Sequence, residues 1–327
     1  MSRRAVRTFT LGLVVLFVAS AGMLVWGAAA YDEPGAFSED VTVVLPRGSS
    51  VNRISQILES RGVLAQPNLF RFVVRASGQS GSLRAGEYLI PAGTSMREVT
   101  RLLTSGETVV RRVTSPEGLS SIEVLRLVAQ DEALVGDIPR NVAEGSLLPE
   151  TYHYAYGDTR EEVIRRMQQA MTDLIEEIWP SRAADLPFDT PSEAVTLASI
   201  VEKETAVPEE RARVAGVFVN RLRRGMRLQS DPTVVYALTN GAGPLGRRLT
   251  RSDLATDSPF NTYRVRGLPP APIANPGRAA LEAVLQPADT DDLYFVADGD
   301  GGHAFAETLQ EHQRNVRRWR QIRDQRD

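Results

Sequence analysis

The segment Thr190-Pro-Ser-Glu-Ala-Val-Thr-Leu-Ala-Ser-Ile-Val-Glu-Lys-Glu-Thr205 carries its own start signal and one carboxylate out of place. Thr190 at the N-cap, Pro191 in the first turn and Glu193 three residues after the cap form a capping box. Wound at about 3.6 residues per turn, Leu197, Ile200, Val201 and Glu204 share one face. Glu202 points roughly the opposite way and Lys203 sits on a flank. A carboxylate in line with an apolar stripe is desolvated, which raises its pKa and keeps its proton available near neutral pH. A general acid needs that property. The other reading is that the Glu204 stem follows the core while its head reaches water or an arginine. Spacing alone leaves both readings open, whereas the cap already accounts for Glu193.

Outward from this helix the chain reads as helix-rich α+β. A helix is expected from Thr159 to Ile178, stopping before Pro180. Pro208 opens another that carries Val214, Val217, Phe218 and Leu222 and stops at Gly225. Ser230 or Asp231 caps a helix opening with Pro232, and Asn275 caps one opening with Pro276. Leu293–Ala297 and His303–Glu307 flank a Gly/Asp turn and form a hairpin. In the basic terminal helix, Arg314, Arg317, Arg318, Arg320 and Arg323 make a solvated face, with contact to anionic lipid or wall polymer as the rival reading.

Upstream, Pro46-Arg-Gly-Ser-Ser50 and the helix after it echo Pro91-Ala-Gly-Thr-Ser95 and its helix; Pro116-Glu-Gly-Leu-Ser120 is a weaker third copy. Each reads as strand, Gly turn, Ser cap and amphipathic helix, a unit that local physics favours with or without common ancestry. Val41–Leu45, Glu87–Ile90 and Thr108–Val113 supply strands, and Pro67–Ala76 a further helix. Residues 39–113 thus form a small α+β module and 114–327 a larger domain.

Composition removes several mechanisms. The chain of 327 residues has net charge −3, which gives no global electrostatic case for nucleic acid. It has no cysteine, and its three histidines, His153, His303 and His312, lack metal-ligand spacing, so thiol and zinc chemistry are not expected and no cofactor is implied. Residues 8–31 carry no charge and are long enough to span a bilayer. Arg3, Arg4 and Arg7 precede that stretch and acids follow it, so residues 1–7 should be cytoplasmic and the bulk of the chain outside. A cleaved signal peptide ending near Ala28-Ala29-Ala30 is the alternative; the length of the stretch favours a retained anchor.

Three loops carry candidate binding groups. Gly145–Tyr154 presents Glu150 and Tyr152 in an aromatic-rich loop suited to sugar, or else simply packed on the core. Gln229 and Asp231 flank Ser230, with N-capping as the plainer account of Asp231. Ser258–Pro270, with Asn261 and Tyr263, is long, polar and without period, as functional loops are. Asp298–Gly302 reads as a turn rather than a calcium loop.

Ala198-Ser-Ile-Val-Glu-Lys-Glu-Thr205, Glu210-Arg211, Val217-Phe-Val-Asn-Arg-Leu222, Leu228–Tyr236, Phe260-Asn-Thr-Tyr263, Gly267–Pro270, Ile273–Gly277 and Gly301-Gly-His-Ala-Phe305 together resemble the endolytic murein transglycosylase family, the YceG-like proteins. The resemblance covers essentially the whole chain, apart from the Gly-rich stretch 239–249. It implies a single-pass inner-membrane protein with a LysM-like subdomain, opening at Val44–Ser55, and a periplasmic catalytic domain. It also implies Glu204 as catalytic residue, the wheel's own choice over Glu202. The implied reaction cleaves the MurNAc–GlcNAc bond of nascent peptidoglycan strands and leaves 1,6-anhydroMurNAc ends. Glu150, Tyr152, Gln229, Asp231, Asn261 and Tyr263 are the expected substrate contacts, and peptidoglycan synthases the implied partners. A hydrolytic muramidase and a non-catalytic wall-binding scaffold are the rival functions.

Overall fold

The computed structural model describes residues 3–326. Met1 and Ser2, at the start of the expected cytoplasmic segment 1–7, and Asp327 lie outside the described residues. Helix α1 (Arg3–Asp32) contains a run, Thr10–Asp32, long and apolar enough to cross a membrane. The chain then divides into two units. One comprises residues up to Arg111 with Tyr154–Gly157; the other comprises Arg112–His153 and Asp158 onward.

The first unit is built on β1 (Val41–Leu45), α2 (Val51–Ser60), α3 (Pro67–Ala76), β2 (Gly86–Ile90) and α4 (Met96–Ser105). β1 and β2 pair antiparallel, with Val41 opposite Ile90 and Leu45 opposite Gly86. Alternation along β1 sends Val43 and Leu45 inward, where they meet Leu58, Phe70, Tyr88 and Leu103 in one core. Leu58 and Leu103 are fully enclosed there; truncating either to Ala should cost about 2–5 kcal/mol. The last turn of α1 joins this core through Tyr31, whose hydroxyl donates to Thr100 Oγ1 at 2.6 Å.

The sequence echo is reproduced in backbone geometry. Gly48, Gly93 and Gly118 all adopt φ between 72° and 76°, and Ser50, Ser95 and Ser120 two residues later are all extended N-caps with φ between −71° and −68°. A left-handed glycine is what lets the chain turn into each cap without a Cβ clash.

The strand expected over Thr108–Val113 forms as β3 (Val110–Thr114), and Val109 N–H just before it donates to Glu87 O of β2. β3 pairs with β4 (Thr151–Ala155), a strand that overlaps the segment expected to be the loop Gly145–Tyr154. Thr151, Tyr152, His153 and Tyr154 are β-formers, and this propensity prevails over the loop reading.

In the second unit, α5 (Ser121–Ala129), α6 (Arg160–Ile178), α7 (Pro191–Glu204), α8 (Arg211–Arg223), α9 (Asp231–Thr239) and α10 (Arg278–Leu285) precede the hairpin β5 (Tyr294–Ala297)–β6 (His303–Ala306) and α11 (Leu309–Arg326). Helix α7 packs against α8, α9 and α10, and every residue from Ala194 to Val201 is buried. It is therefore a central helix rather than a surface amphipathic one, so its polar flank needs internal partners: Ser199 donates to Thr196 O and accepts from Ile273 N. The Thr190–Glu193 capping box forms as expected.

Two starts differ from expectation. A 3₁₀ turn over Pro208–Glu210 precedes α8. Asn275 caps no helix; fully buried, its amide donates to Leu119 O and its Oδ1 accepts from Leu147 N, while Gly277 takes the cap of α10. In α11, Arg314, Arg317, Arg318 and Arg320 are exposed, but Arg323 lies over the Trp319 ring.

Candidate active site

Glu204 is the last residue of α7, where unsatisfied helix carbonyls already disfavour a negative charge. Its residue surface is only partly covered, yet its carboxyl is densely surrounded by protein, and burial pushes its pKa up to about 7. The neighbours divide by sign. The Ser230 hydroxyl lowers the pKa, the Asp231 carboxylate raises it, and His303 and Arg221 lower it again. Ser230 Oγ is buried, without a partner of full hydrogen-bond geometry, and faces that carboxyl. A carboxylic acid poised near neutrality can give a proton and take one back without a large thermodynamic penalty.

The surrounding elements are pinned. Thr262, fully buried, stitches the segment before α9 to the loop before Tyr263: its Oγ1 accepts from Ser230 N at 3.0 Å and lies 2.8 Å from Thr233 Oγ1, and its carbonyl accepts from Gln229 N at 3.2 Å. These bonds hold Gln229 at φ 51°, a left-handed conformation uncommon for a residue with a Cβ, with its side chain exposed. Tyr263 donates its hydroxyl to Asp231 Oδ1 at 2.6 Å. Asp231, expected as a helix cap, makes no cap bond; it stands in the first turn of α9 with its carboxylate turned to Tyr263. Ser230 holds the cap position, also without a side-chain cap bond.

Arg221 is a buried cation. Its Nε donates to Leu293 O and its Nη1 to Leu228 O, both at 2.6 Å, and its guanidinium lies over the Tyr294 ring. Glu210 accepts from the His303 backbone N–H at 2.9 Å, and its other oxygen lies 2.7 Å from His303 Nδ1. A carboxylate only accepts, so Nδ1 carries the proton and Nε2 is the ring nitrogen left over. Phe295 packs edge-on to the imidazole. Gly302 makes the arrangement possible, because a Cβ there would meet Glu210 Oε1 at 2.7 Å.

An open groove of about 630 Å³ begins at Asp231 and runs along Lys203, Tyr236 and the Gly-rich stretch 239–249. Asp231, which lines it, is the neighbour whose charge raises the Glu204 pKa; Glu204 itself does not line it. A larger, apolar concavity is lined by residues of the first unit.

Comparison with known proteins places this geometry in a family. The YceG-like family model matches residues 43–318. This chain belongs to the YceG-like family. A Bacillus subtilis protein named endolytic murein transglycosylase is 33% identical over 303 residues, 83% of this chain and 82% of the relative. A Streptococcus pneumoniae protein of the same name is 31% identical, and the match spans 84% of this chain but 58% of that longer protein. A crystal structure of a YceG-like protein from Listeria monocytogenes superposes with a TM-score of 0.53 at 31% identity, over 84% of this chain and 98% of the other.

Within this YceG-like chain the expected site residues separate. Glu204, Asp231 and Tyr263 come together, whereas the Gln229 side chain is exposed. Asn261 is fully buried and organises its own loop, donating to Leu254 O and Thr256 O and accepting from Tyr263 N. Tyr152 donates to Leu148 O, and burial raises its pKa; its charged neighbours are Glu150 and Arg166, not Glu204. Glu150 is exposed. Glu202 is half-buried and accepts from Gly277 N at 2.9 Å, near Glu117, in a separate cluster. Arg221, Glu210, His303 and Thr262 were not assigned site roles from the sequence, and Ser230 only that of a possible helix cap. One signal was available for Arg221: it falls on the same stripe as Val214, Val217 and Phe218.

Proposed function

We propose that the chain is a membrane-anchored endolytic murein transglycosylase with Glu204 as its acid–base residue. The observation that carries the proposal is a carboxyl with a pKa of about 7, enclosed at the end of α7 beside Asp231, Arg221 and His303. Protonated Glu204 gives its proton to the glycosidic oxygen between MurNAc and GlcNAc as the C1–O bond breaks. The carboxylate so formed then takes the proton of the MurNAc 6-hydroxyl, whose oxygen closes on C1 to give the 1,6-anhydro ring. Atoms balance without water. The nucleophile belongs to the substrate, so the reaction needs no second carboxylate, and intramolecular attack supplies a high effective molarity. Acid–base transfer contributes roughly 10²–10⁴-fold. Arg221 and His303 stabilise the transient carboxylate, and the groove at Asp231 offers room for the strand.

α1 serves as the single-pass anchor, with residues 1–7 cytoplasmic and the chain after α1 on the periplasmic side of the inner membrane. The first unit, with its own core and strand pair, is read as the LysM-like module; a separately folded module suits a wall-binding role. Peptidoglycan synthases are the partners the family reading implies.

A hydrolytic muramidase is the second reading, and Asp231 is what favours it. A carboxylate beside the acid could hold an attacking water. Mass spectrometry of digested peptidoglycan separates the two, since an anhydro end is lighter by one water. Anhydro ends that disappear with Glu204→Gln, in a protein that still unfolds cooperatively, support the proposal. Hydrolysed ends alone overturn the transglycosylase assignment, and undiminished cleavage by Glu204→Gln removes Glu204 from the chemistry.

A further inference from the structure

Helix α3 of the first unit runs beside the last turns of α1. Gly27 supplies the close approach: a Cβ there would stand 3.6 Å from Leu69 Cδ1. Met23, Leu24 and Trp26 form one wall and Leu69, Phe72 and Val73 the other of an open apolar groove of about 990 Å³. Phe72 is 63% exposed, although Phe70 and Val74 of the same helix are fully enclosed in the core. On the far side of Phe72 a polar recess is lined by Asn52, Asn68, Arg71 and Arg75. Arg75 donates to Asn52 Oδ1 at 2.7 Å and Arg71 to Asn68 Oδ1. Among the described residues, neither guanidinium is paired with a carboxylate.

We propose that α3 is a membrane-surface helix: Phe72 and the groove take lipid acyl chains, and Arg71 and Arg75 bind lipid headgroup phosphates. The inference rests on reading α1 as a bilayer-spanning anchor. Thr10–Asp32 is 23 residues, roughly 35 Å of helix at 1.5 Å per residue, against a hydrocarbon core of roughly 30 Å. Only the last few residues can therefore clear the hydrocarbon. Met23 and Leu24 lie deeper than that, so the groove they wall is continuous with the lipid phase and Phe72 faces the same medium. Trp26 and Tyr31 supply the aromatic groups that settle at the boundary. Arg71 and Arg75, with only neutral amide partners, retain donors and charge for phosphate. Buried apolar faces inward, an exposed aromatic outward and unpaired arginines alongside are the pattern of an interfacial helix.

The chain contains no cysteine, so a single introduced thiol reports one position. Full-length Leu24→Cys, Phe72→Cys and, as an exposed control in the second unit, Ser192→Cys would each carry a nitroxide label. They would be reconstituted into vesicles of phosphatidylcholine and phosphatidylglycerol. Power-saturation resonance then compares collisions with oxygen, which partitions into lipid, and with a water-soluble nickel chelate. The oxygen-to-nickel ratio at 72 should match that at 24 and exceed that at 192 several-fold. A water-like ratio at 72 with a lipid-like ratio at 24 overturns this inference and leaves the anchor standing. A water-like ratio at 24 removes the anchor reading and the inference with it. Adding Arg71→Glu and Arg75→Glu to Phe72→Cys should lower the ratio at 72 by a factor of two or more, because attraction to headgroup phosphate becomes repulsion; an unchanged ratio overturns the headgroup contact.

Discussion

Glu204→Gln should stabilise the protein, and only above acidic pH. In an unfolded chain the carboxyl titrates near 4.5, and in the folded protein burial moves it to about 7. The folded state therefore holds a proton that the unfolded chain releases between those values. Stability must fall as pH rises through that window and stay low above it. At about 1.4 kcal/mol per decade the accumulated loss is about 3 kcal/mol by pH 8. Gln has the same shape and no charge to desolvate, so the variant escapes this loss. At pH 4 both side chains are mostly neutral in folded and unfolded states, and the two proteins should unfold nearly alike. For a unit of this size, each kcal/mol moves Tm by roughly 2–4 °C, giving a difference of roughly 6–12 °C at pH 8. Calorimetry of both proteins in the same detergent at pH 4, 6 and 8 measures it. A Tm difference that stays constant across this range would refute the claim that Glu204 is held protonated by burial.

Three further outcomes follow from the same geometry. The rate of anhydro-end formation should decline above about pH 7, where Glu204 loses its proton; His303→Ala removes a group that lowers the Glu204 pKa and should move the decline to higher pH, as read from pH–rate profiles of both proteins. Tyr263→Phe deletes the 2.6 Å bond to Asp231 and should lower kcat/KM about tenfold, some 1.4 kcal/mol; unaltered kinetics would detach that pair from the site. Gly302→Ala should drive Glu210 off His303, cost about 1–3 kcal/mol in thermal unfolding and shift the pH profile in the same direction as His303→Ala.

What could be read in advance was whatever local rules settle. The Ser caps of the three echoed turns, the Thr190 capping box and the 293–307 hairpin depend on a few consecutive residues, and all formed as expected. Pairings over long separations were not legible. β3 finds β4 about forty residues on, where pairing depends on chain topology rather than local pattern. Asn275 looked like a cap because Asn before Pro commonly is one, yet its amide is spent on Leu119 and Leu147, more than a hundred residues away.

The site follows the same division. Glu204 could be singled out because a charge on an apolar stripe is a local contradiction. The same contradiction was present at Arg221, which falls on the stripe of Val214, Val217 and Phe218, and it was passed over. The rule that found the acid thus also finds a cation that lowers its pKa. Asp231 shows where such reasoning stops. A capping position explains an aspartate without reference to any other part of the chain, and only the approach of Tyr263, thirty-two residues later, draws the carboxylate away from the cap. His303 and Glu210 lie further apart still, and each is unremarkable in its own segment. A local anomaly can thus mark a buried acid of raised pKa. The residues that set its pKa sit in segments with adequate local explanations, and only the fold brings them together.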